Sequence, residues 1–201
     1  NAKPIYQRAN EVIDGVLATP AEYPDYSTTT QIFRFIINNR YHDFGLSLSM
    51  DWVLSPTLFF NSGGYSLCGE TADMYADLAT MLNYPVRIWS LEGHVAVEAF
   101  SDGKWKFYDP DYGVFFLKRN FEIASMEELA ADPDLMVHPV YLMDFPLTEV
   151  GSPYSEGYAQ LIATTADNWV GENWGPPIPA QELVFDLPPG AWLQLGNVYA
   201  A

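Results

Sequence analysis

The chain has a single cysteine, so an internal disulfide is excluded and the thiol is either a buried apolar group or a reactive one. Basic residues are also scarce, since 9 Lys and Arg stand against 26 Asp and Glu and give a formal charge of -17. Phosphate backbones and anionic lipid surfaces repel such a chain unless basic residues cluster, and no cluster is present. We therefore expect no nucleic-acid partner.

Long apolar runs are missing as well. None approaches the roughly 18 residues that a membrane-spanning helix needs, so no membrane span is predicted. The chain also lacks a phosphate-binding glycine motif, a nucleophile-elbow serine, a dinucleotide fingerprint and any pair of histidines at zinc-ligand spacing. We expect no cofactor and no metal site. Many Tyr, Trp, Asn, Ser and Thr with few Lys are more typical of an exported protein.

A length of 201 residues fits one domain with an appendage. We expect a core over residues 1–150 and a C-terminal extension over 151–201 packed on it. The last thirty or so residues are rich in Pro, Gly and Trp, and the stretch from Leu183 to Leu195 predicts a terminal β-hairpin.

Apolar residues at helical spacing predict helices over 9–17, 29–38 and 68–82. A capping box at Ser125 predicts a short helix that ends before Pro133, and Ser152-Pro153 predicts another that runs to Ile162. The stretch 41–64 contains several Gly and Pro residues and is expected to be irregular.

The helix over 68–82 has two different faces. Its inner face carries Cys68 with several alanines, whose small side chains let the backbone approach a neighbouring sheet closely. Its other face is acidic. Glu70 lies in the first turn, where its charge acts against a thiolate, so in a working site we expect its carboxylate to turn toward water.

Alternating residues predict three strands over 86–90, 94–100 and 105–109. Two further strands are predicted over 114–117 and 140–143. The fold class is therefore α+β, with the helix that carries the cysteine packed on an antiparallel sheet.

The dipeptide Asp102-Gly103 predicts a two-residue hairpin turn. That turn pairs Phe100 with Trp105 and Glu98 with Phe107. Opposed residues share one side of a sheet, and so do residues two apart on one strand. The same register brings His94 and Asp109 together as diagonal neighbours on one face.

Cys68, His94 and Asp109 together predict a catalytic triad. A thiol at a helix N-terminus beside an imidazolium is favoured as the nucleophilic thiolate, the histidine carries the proton, and the carboxylate orients the ring. Each residue alone is more typical of a packing or turn position, but their order and strand parity favour the triad. For the oxyanion, the backbone N–H of Cys68 is one candidate donor, and Tyr65 or Asn61 is another, although packing or a turn also explains either side chain.

Three segments resemble the transglutaminase-like superfamily: GYSLCGETA over 64–72, Gly93-His94 with the strand that follows, and WKFYDP over 105–110. The resemblance covers roughly residues 60–115. It implies a papain-like α+β core with Cys68 as nucleophile, His94 as base and Asp109 as orienting acid. Two departures, Ala96 in place of a frequent aromatic and the lack of a basic residue before the cysteine, leave the substrate open.

The first hypothesis is a cysteine-dependent acyl-transfer enzyme that cleaves or transfers a peptide or isopeptide-like bond through a thioester on Cys68. Its partners are a peptide or protein substrate and, as acceptor, water or an amine. Hydrolysis is favoured, because the resemblance is to compact members without the extra domains of calcium-regulated animal transglutaminases. Two alternatives stay open: a catalytically silent module that binds peptide or glycan within a larger protein, and acyl transfer from a small thioester donor.

Overall fold

The computed structural model describes residues 6, 8–22, 24–42, 55–61, 65–91, 93–140, 159, 160, 162 and 169–171. Its helices are α1 (Ala9–Ala18), α2 (Thr28–Asn39), α3 (Pro56–Asn61), α4 (Cys68–Met81), α5 (Met126–Ala131) and α6 (Asp134–Val137). Its strands are β1 (Tyr41–His42), β2 (Tyr65–Ser66), β3 (Val86–Leu91), β4 (His94–Ser101), β5 (Lys104–Tyr108) and β6 (Trp169–Gly171). The architecture is α+β, as predicted. No helix in these described ranges is long and apolar enough to cross a membrane.

The two N-terminal helices match their predictions to within about one residue at each end. α2 begins where the side chain of Ser27 accepts a hydrogen bond from the backbone N–H of Thr30, which satisfies an otherwise unpaired donor of the first turn. Val12 and Val16 of α1 join Ile32 and Ile36 of α2 in one buried apolar cluster. The apolar spacing in the sequence therefore marks the buried sides of both helices.

The main sheet has four strands in the order β5-β4-β3-β6, and each neighbouring pair is antiparallel. Asp102 and Gly103 connect β4 to β5 with φ values of 54° and 78°, the left-handed conformation that a two-residue hairpin turn requires. Phe100 pairs with Trp105, and Glu98 pairs with Phe107. The predicted turn and register are confirmed.

The sheet separates two apolar clusters. On one face, Val97, Ala99 and Tyr108 belong to the same cluster as α2 and α4, and the contacts include the buried alanines Ala72, Ala76 and Ala79 of α4. On the opposite face, residues such as Ala96 and Phe107 contact the cluster that contains α5. The predicted packing of the cysteine-bearing helix on an antiparallel sheet is thus confirmed.

The expectation of irregular structure over 41–64 is wrong for the part of this stretch that is described. Pro56 opens α3, because a helix tolerates proline in its first turn, where the missing N–H has no partner to lose. Phe59 and Phe60 of this helix are buried. β1 also lies in this stretch and pairs in parallel with β2.

The strand predicted over 114–117 is also wrong. Val114 bridges Asp109 and Leu117 bridges Ile123, each as an isolated pair. Phe115 and Leu117 enter one apolar cluster, while Val114 and Phe116 enter the other. The segment is apolar throughout because it lies between two apolar clusters. A continuous apolar run of this kind is also typical of a buried strand, which is why a strand is predicted.

Several predictions fall wholly or partly outside the described residues. The hairpin from Leu183 to Leu195 lies outside them, as do residues 141–143 of the strand predicted over 140–143. Of the helix predicted to end at Ile162, residues 159, 160 and 162 are described, and they are helical. The division into a core and an extension stays a prediction. α6 and β6 have no counterpart among the predicted elements.

Candidate active site

Cys68 is the first residue of α4, and its side chain is half-buried. The turn that precedes it is held by hydroxyl groups: Ser66 and Thr71 are hydrogen-bonded at 2.8 Å, and Thr71 Oγ1 also donates to the carbonyl oxygen of Leu67 at 2.8 Å. These bonds tie the residues on both sides of the cysteine to the helix start. The thiol is therefore held at the N-terminus of α4, where the helix dipole favours a negative charge.

Glu70 does not turn away into water as predicted. Its Oε2 accepts a hydrogen bond from the backbone N–H of Leu67 at 3.1 Å. This bond is one half of a capping box, in which the side chain of the third helical residue accepts a hydrogen bond from the backbone N–H of the residue that precedes the helix. The carboxylate is thus committed to the helix end.

His94 is the first residue of β4, and Asp109 directly follows β5. The two side chains meet with His94 Nε2 2.6 Å from Asp109 Oδ2, and they are 5% and 0% exposed, respectively. The predicted meeting of imidazole and carboxylate is confirmed. Since an ionised carboxylate only accepts hydrogen bonds, Nε2 donates to it, and Nδ1 is the nitrogen that remains for proton exchange with a neighbouring group.

The other oxygen of the Asp109 carboxylate is also engaged. Oδ1 accepts hydrogen bonds from the backbone N–H groups of Asp111 and Tyr112, both at 3.0 Å. An aspartate that bonds the backbone two or three residues ahead stabilises its own turn. Asp109 is therefore fixed at both oxygens, so the orientation of the His94 ring is fixed as well.

An aromatic ring covers the imidazole. The ring centroids of Tyr112 and His94 are 4.5 Å apart with an interplanar angle of 36°, and Tyr112 is 36% exposed. Tyr112 thus shields one side of the His94–Asp109 pair from solvent while its own outer edge stays accessible.

The thiol lies next to this pair. The sulfur of Cys68, a ring nitrogen of His94 and a carboxylate oxygen of Asp111 all lie within 4.8 Å of one another. Burial alone lowers the pKa of His94, but the charge and hydrogen bond of Asp109, with a hydrogen bond to Cys68, outweigh it and raise that pKa to about 10. The imidazole is therefore protonated near neutral pH, and a cation beside a sulfur favours the thiolate.

Arg40 is a site residue that the sequence analysis missed. Its side chain is 7% exposed, its Nε donates to the carbonyl oxygen of Pro110 at 2.9 Å, and its Nη1 lies 2.9 Å from Asp111 Oδ1. Burial lowers the pKa of Arg40, although the nearby charges of Asp111, Asp109 and Cys68 oppose that effect. Arg40 follows α2 directly, and nothing in its neighbours along the chain marks it as part of the site.

Two side chains, Asn61 and Tyr65, are candidate oxyanion donors. The side-chain amide of Asn61 is paired with the backbone of Tyr6, accepting from its N–H at 2.8 Å and donating to its carbonyl oxygen at 2.6 Å. These bonds tie α3 to the segment before α1 and give no support to the role predicted for Asn61. The side chain of Tyr65 lies outside the described residues, so its role stays a prediction.

Of the two other histidines, His138 has a described side chain. His138 Nδ1 is 2.6 Å from Asp134 Oδ1, and this second His–Asp pair is exposed. The side chain of His42 is outside the described residues. The exposed pair has the same separation as the buried one, so what distinguishes His94 is its burial and its proximity to the thiol.

Comparison with known proteins adds little to this geometry. No protein-family model matches the chain, and no curated protein matches it. One solved structure, a crystal structure of a TGase, is similar to it with a TM-score of 0.36 and 15% sequence identity. The similar region covers 50% of this chain and 30% of the TGase chain. A likeness of that extent carries no conclusion, so the function is inferred from the site itself.

Proposed function

We propose that this chain is a transglutaminase-like cysteine enzyme that cleaves an amide bond of a peptide or protein, with Cys68 as nucleophile, His94 as proton carrier and Asp109 as orienting acid. The observation that carries this proposal is the 2.6 Å contact between His94 and Asp109 beside the sulfur of Cys68. Fixed orientation of an activating base is what a thiol nucleophile requires.

In the first half of the reaction, the thiolate of Cys68 attacks the carbonyl carbon and forms a carbon–sulfur bond. Negative charge then develops on the carbonyl oxygen. The first N–H groups of a helix have no partner within that helix, so the backbone N–H of Cys68 is suited to stabilise this charge. His94 delivers its proton to the nitrogen as the carbon–nitrogen bond breaks. The products are a free amine and a thioester on Cys68.

In the second half, water attacks the thioester while neutral His94 accepts one of its protons. The carbon–sulfur bond breaks, a carboxylic acid leaves, and the sulfur returns as thiolate beside the protonated ring. An amine acceptor in place of water yields a new amide instead. We favour hydrolysis over amine transfer, because water is the far more abundant acceptor.

Trapping the thioester tests this proposal. The protein is incubated with a peptide library, quenched in acid and digested, and mass spectrometry locates any acyl adduct. We expect an adduct on Cys68 in the natural chain and no adduct in Cys68→Ala. Turnover that survives in Cys68→Ala refutes the assignment. Because the chain has one cysteine, thiol labelling before and after incubation reports this site alone.

A further inference from the structure

The charges around the thiol are mainly negative. When Cys68 is a thiolate, it lies within 4.8 Å of a carboxylate oxygen of Asp111, and Asp109 lies directly behind the imidazole. Asp111 is only 2% exposed, so water does little to screen its charge. Arg40 supplies one compensating cation to this group. When a bound ion displaces the ring proton of His94, the thiolate, the two carboxylates and the guanidinium together carry a net charge of two negative units.

We propose that this pocket binds a thiophilic divalent cation, Zn²⁺, through Cys68, His94 and Asp111, and that the bound ion reversibly inhibits the enzyme. Thiolate, imidazole and carboxylate are the three ligand types that zinc takes from proteins. The three residues come from separate segments, which explains why no zinc spacing is visible in the sequence.

The hydrogen bond from His94 to Asp109 favours the same ligand set. Zinc-bound histidines usually donate their other ring N–H to a carboxylate, which fixes the ring and makes the coordinating nitrogen more basic. Here Nε2 already donates to Asp109, and both oxygens of Asp109 are fixed. The imidazole is thus oriented for coordination through Nδ1 before any ion arrives.

The distances are close to those of a zinc site. Zinc–ligand bonds of about 2.0–2.3 Å in a tetrahedron separate the ligand atoms by about 3.5 Å. The sulfur of Cys68, one ring nitrogen of His94 and one carboxylate oxygen of Asp111 lie within 4.8 Å of one another, so closure requires movements of at least about 1 Å. Arg40 contacts Oδ1 of Asp111, and a carboxylate can serve a guanidinium with one oxygen and a metal with the other.

Zinc binding and inhibition by zinc are two separate claims. The ion takes the sulfur lone pair that attacks the substrate and the ring nitrogen that carries the proton, so inhibition rests on the proposed function. Binding itself does not rest on it. The overall charge of -17 also concentrates cations near the surface and assists their capture.

The test measures Zn²⁺ affinity of the full chain by competition with a chromophoric chelator, in the natural protein and in Asp111→Asn. We expect one ion per chain and an affinity at least about tenfold weaker in the variant. Asp134→Asn removes the carboxylate of the exposed His138 pair and is the matched control, with unchanged affinity expected. Equal affinity in Asp111→Asn and the natural protein overturns the three-ligand site, and so does a failure of the natural protein to bind Zn²⁺.

Two further measurements keep the test decisive. If Asp111→Asn does not fold, His94→Gln takes its place, and unchanged affinity there also overturns the proposal. Zn²⁺ must also slow iodoacetamide labelling of Cys68, with recovery after EDTA. A chain that binds zinc in this way but forms no thioester retains the metal site and loses the proposed enzymatic function, so the two failures are distinguishable.

Discussion

Arg40 and Asp111 form a buried ion pair in which Nη1 of the guanidinium lies 2.9 Å from Oδ1 of the carboxylate. The same guanidinium donates from Nε to the carbonyl oxygen of Pro110. Arg40, at the C-terminal end of α2, thereby holds the turn that begins at Asp109. Asp109 orients His94.

Replacing Arg40 by Gln is expected to destabilise the protein by about 3–5 kcal/mol, because it leaves the Asp111 carboxylate buried without its cation. Urea unfolding measures this change. Arg119→Gln is the control, since Arg119 is 78% exposed and its distance to Asp134 is 3.7 Å. A change of at most about 0.5 kcal/mol is expected there. Equal losses in the two variants contradict a structural role for the Arg40 pair.

Replacing Asp109 by Asn is expected to lower turnover by about 10³–10⁴-fold while the fold persists. The amide nitrogen is a hydrogen-bond donor, so it favours the ring tautomer in which Nε2 accepts that hydrogen bond and Nδ1 carries the ring proton. Steady-state kinetics on a substrate found by trapping measures the loss, and thermal unfolding checks the fold. Asp134→Asn, in the exposed pair with the same 2.6 Å separation, is expected to keep full turnover. Retained activity in Asp109→Asn contradicts the orienting role.

Glu98 is a fully buried carboxylate that joins three elements. It accepts hydrogen bonds from Trp89 Nε1 and from the backbone N–H of Met126, both at 2.7 Å, and forms an ion pair with Arg87 at 2.7 Å. Glu98→Ala leaves these groups without their acceptor and is expected to cost about 3–5 kcal/mol. Glu127→Ala removes the exposed partner of the same arginine and is expected to cost at most about 0.5 kcal/mol. Chemical denaturation decides between these values, and a small loss for Glu98→Ala contradicts its role in joining the elements.

Asp73 on α4 links stability to pH. Burial, together with the charge of Glu70, raises the pKa of Asp73 from 3.8 to about 6. An acid whose pKa is raised in the folded state protonates more readily there than in the unfolded chain, so this group destabilises the fold above about pH 6, and the penalty fades as pH falls toward 4. Asp73→Asn is therefore expected to increase the free energy of unfolding at pH 7 and to change it little near pH 3.5.

Unfolding curves at the two pH values check this expectation, with Asp14→Asn on the exposed side of α1 as the control. The control substitution is expected to change stability little at either pH. A stability gain in Asp73→Asn that is equal at both pH values contradicts the effect of burial.

The geometry of the candidate site was largely predictable from local rules. The dipeptide Asp102-Gly103 sets a two-residue turn, and that turn alone determines the register that brings His94 to Asp109. The position of Cys68 at a helix start follows from apolar spacing. These features depend on neighbours along the chain or on one hairpin, so local sequence patterns predict them.

Contacts between distant segments were not predictable in this way. Arg40 reaches Pro110 across seventy positions, and no local pattern indicates which of several arginines does so. Repulsion from the thiolate predicts that Glu70 faces water, but the backbone N–H of Leu67 binds its carboxylate at the helix end. The run over 114–117 imitates a strand because two separate cores bury its alternate residues. These three features are determined by contacts in the folded structure that local sequence patterns do not indicate.

The central claim is that His94 activates the thiol of Cys68 as a nucleophile, and the rate of iodoacetamide labelling across pH tests it most directly. The single cysteine makes the signal unambiguous, and no substrate is needed. A thiolate–imidazolium pair predicts nearly equal labelling rates at pH 6 and pH 8 in the natural protein. In His94→Ala the rate is expected to rise about tenfold per pH unit over that range, as for an ordinary thiol. The same steep rise in both proteins contradicts the claim.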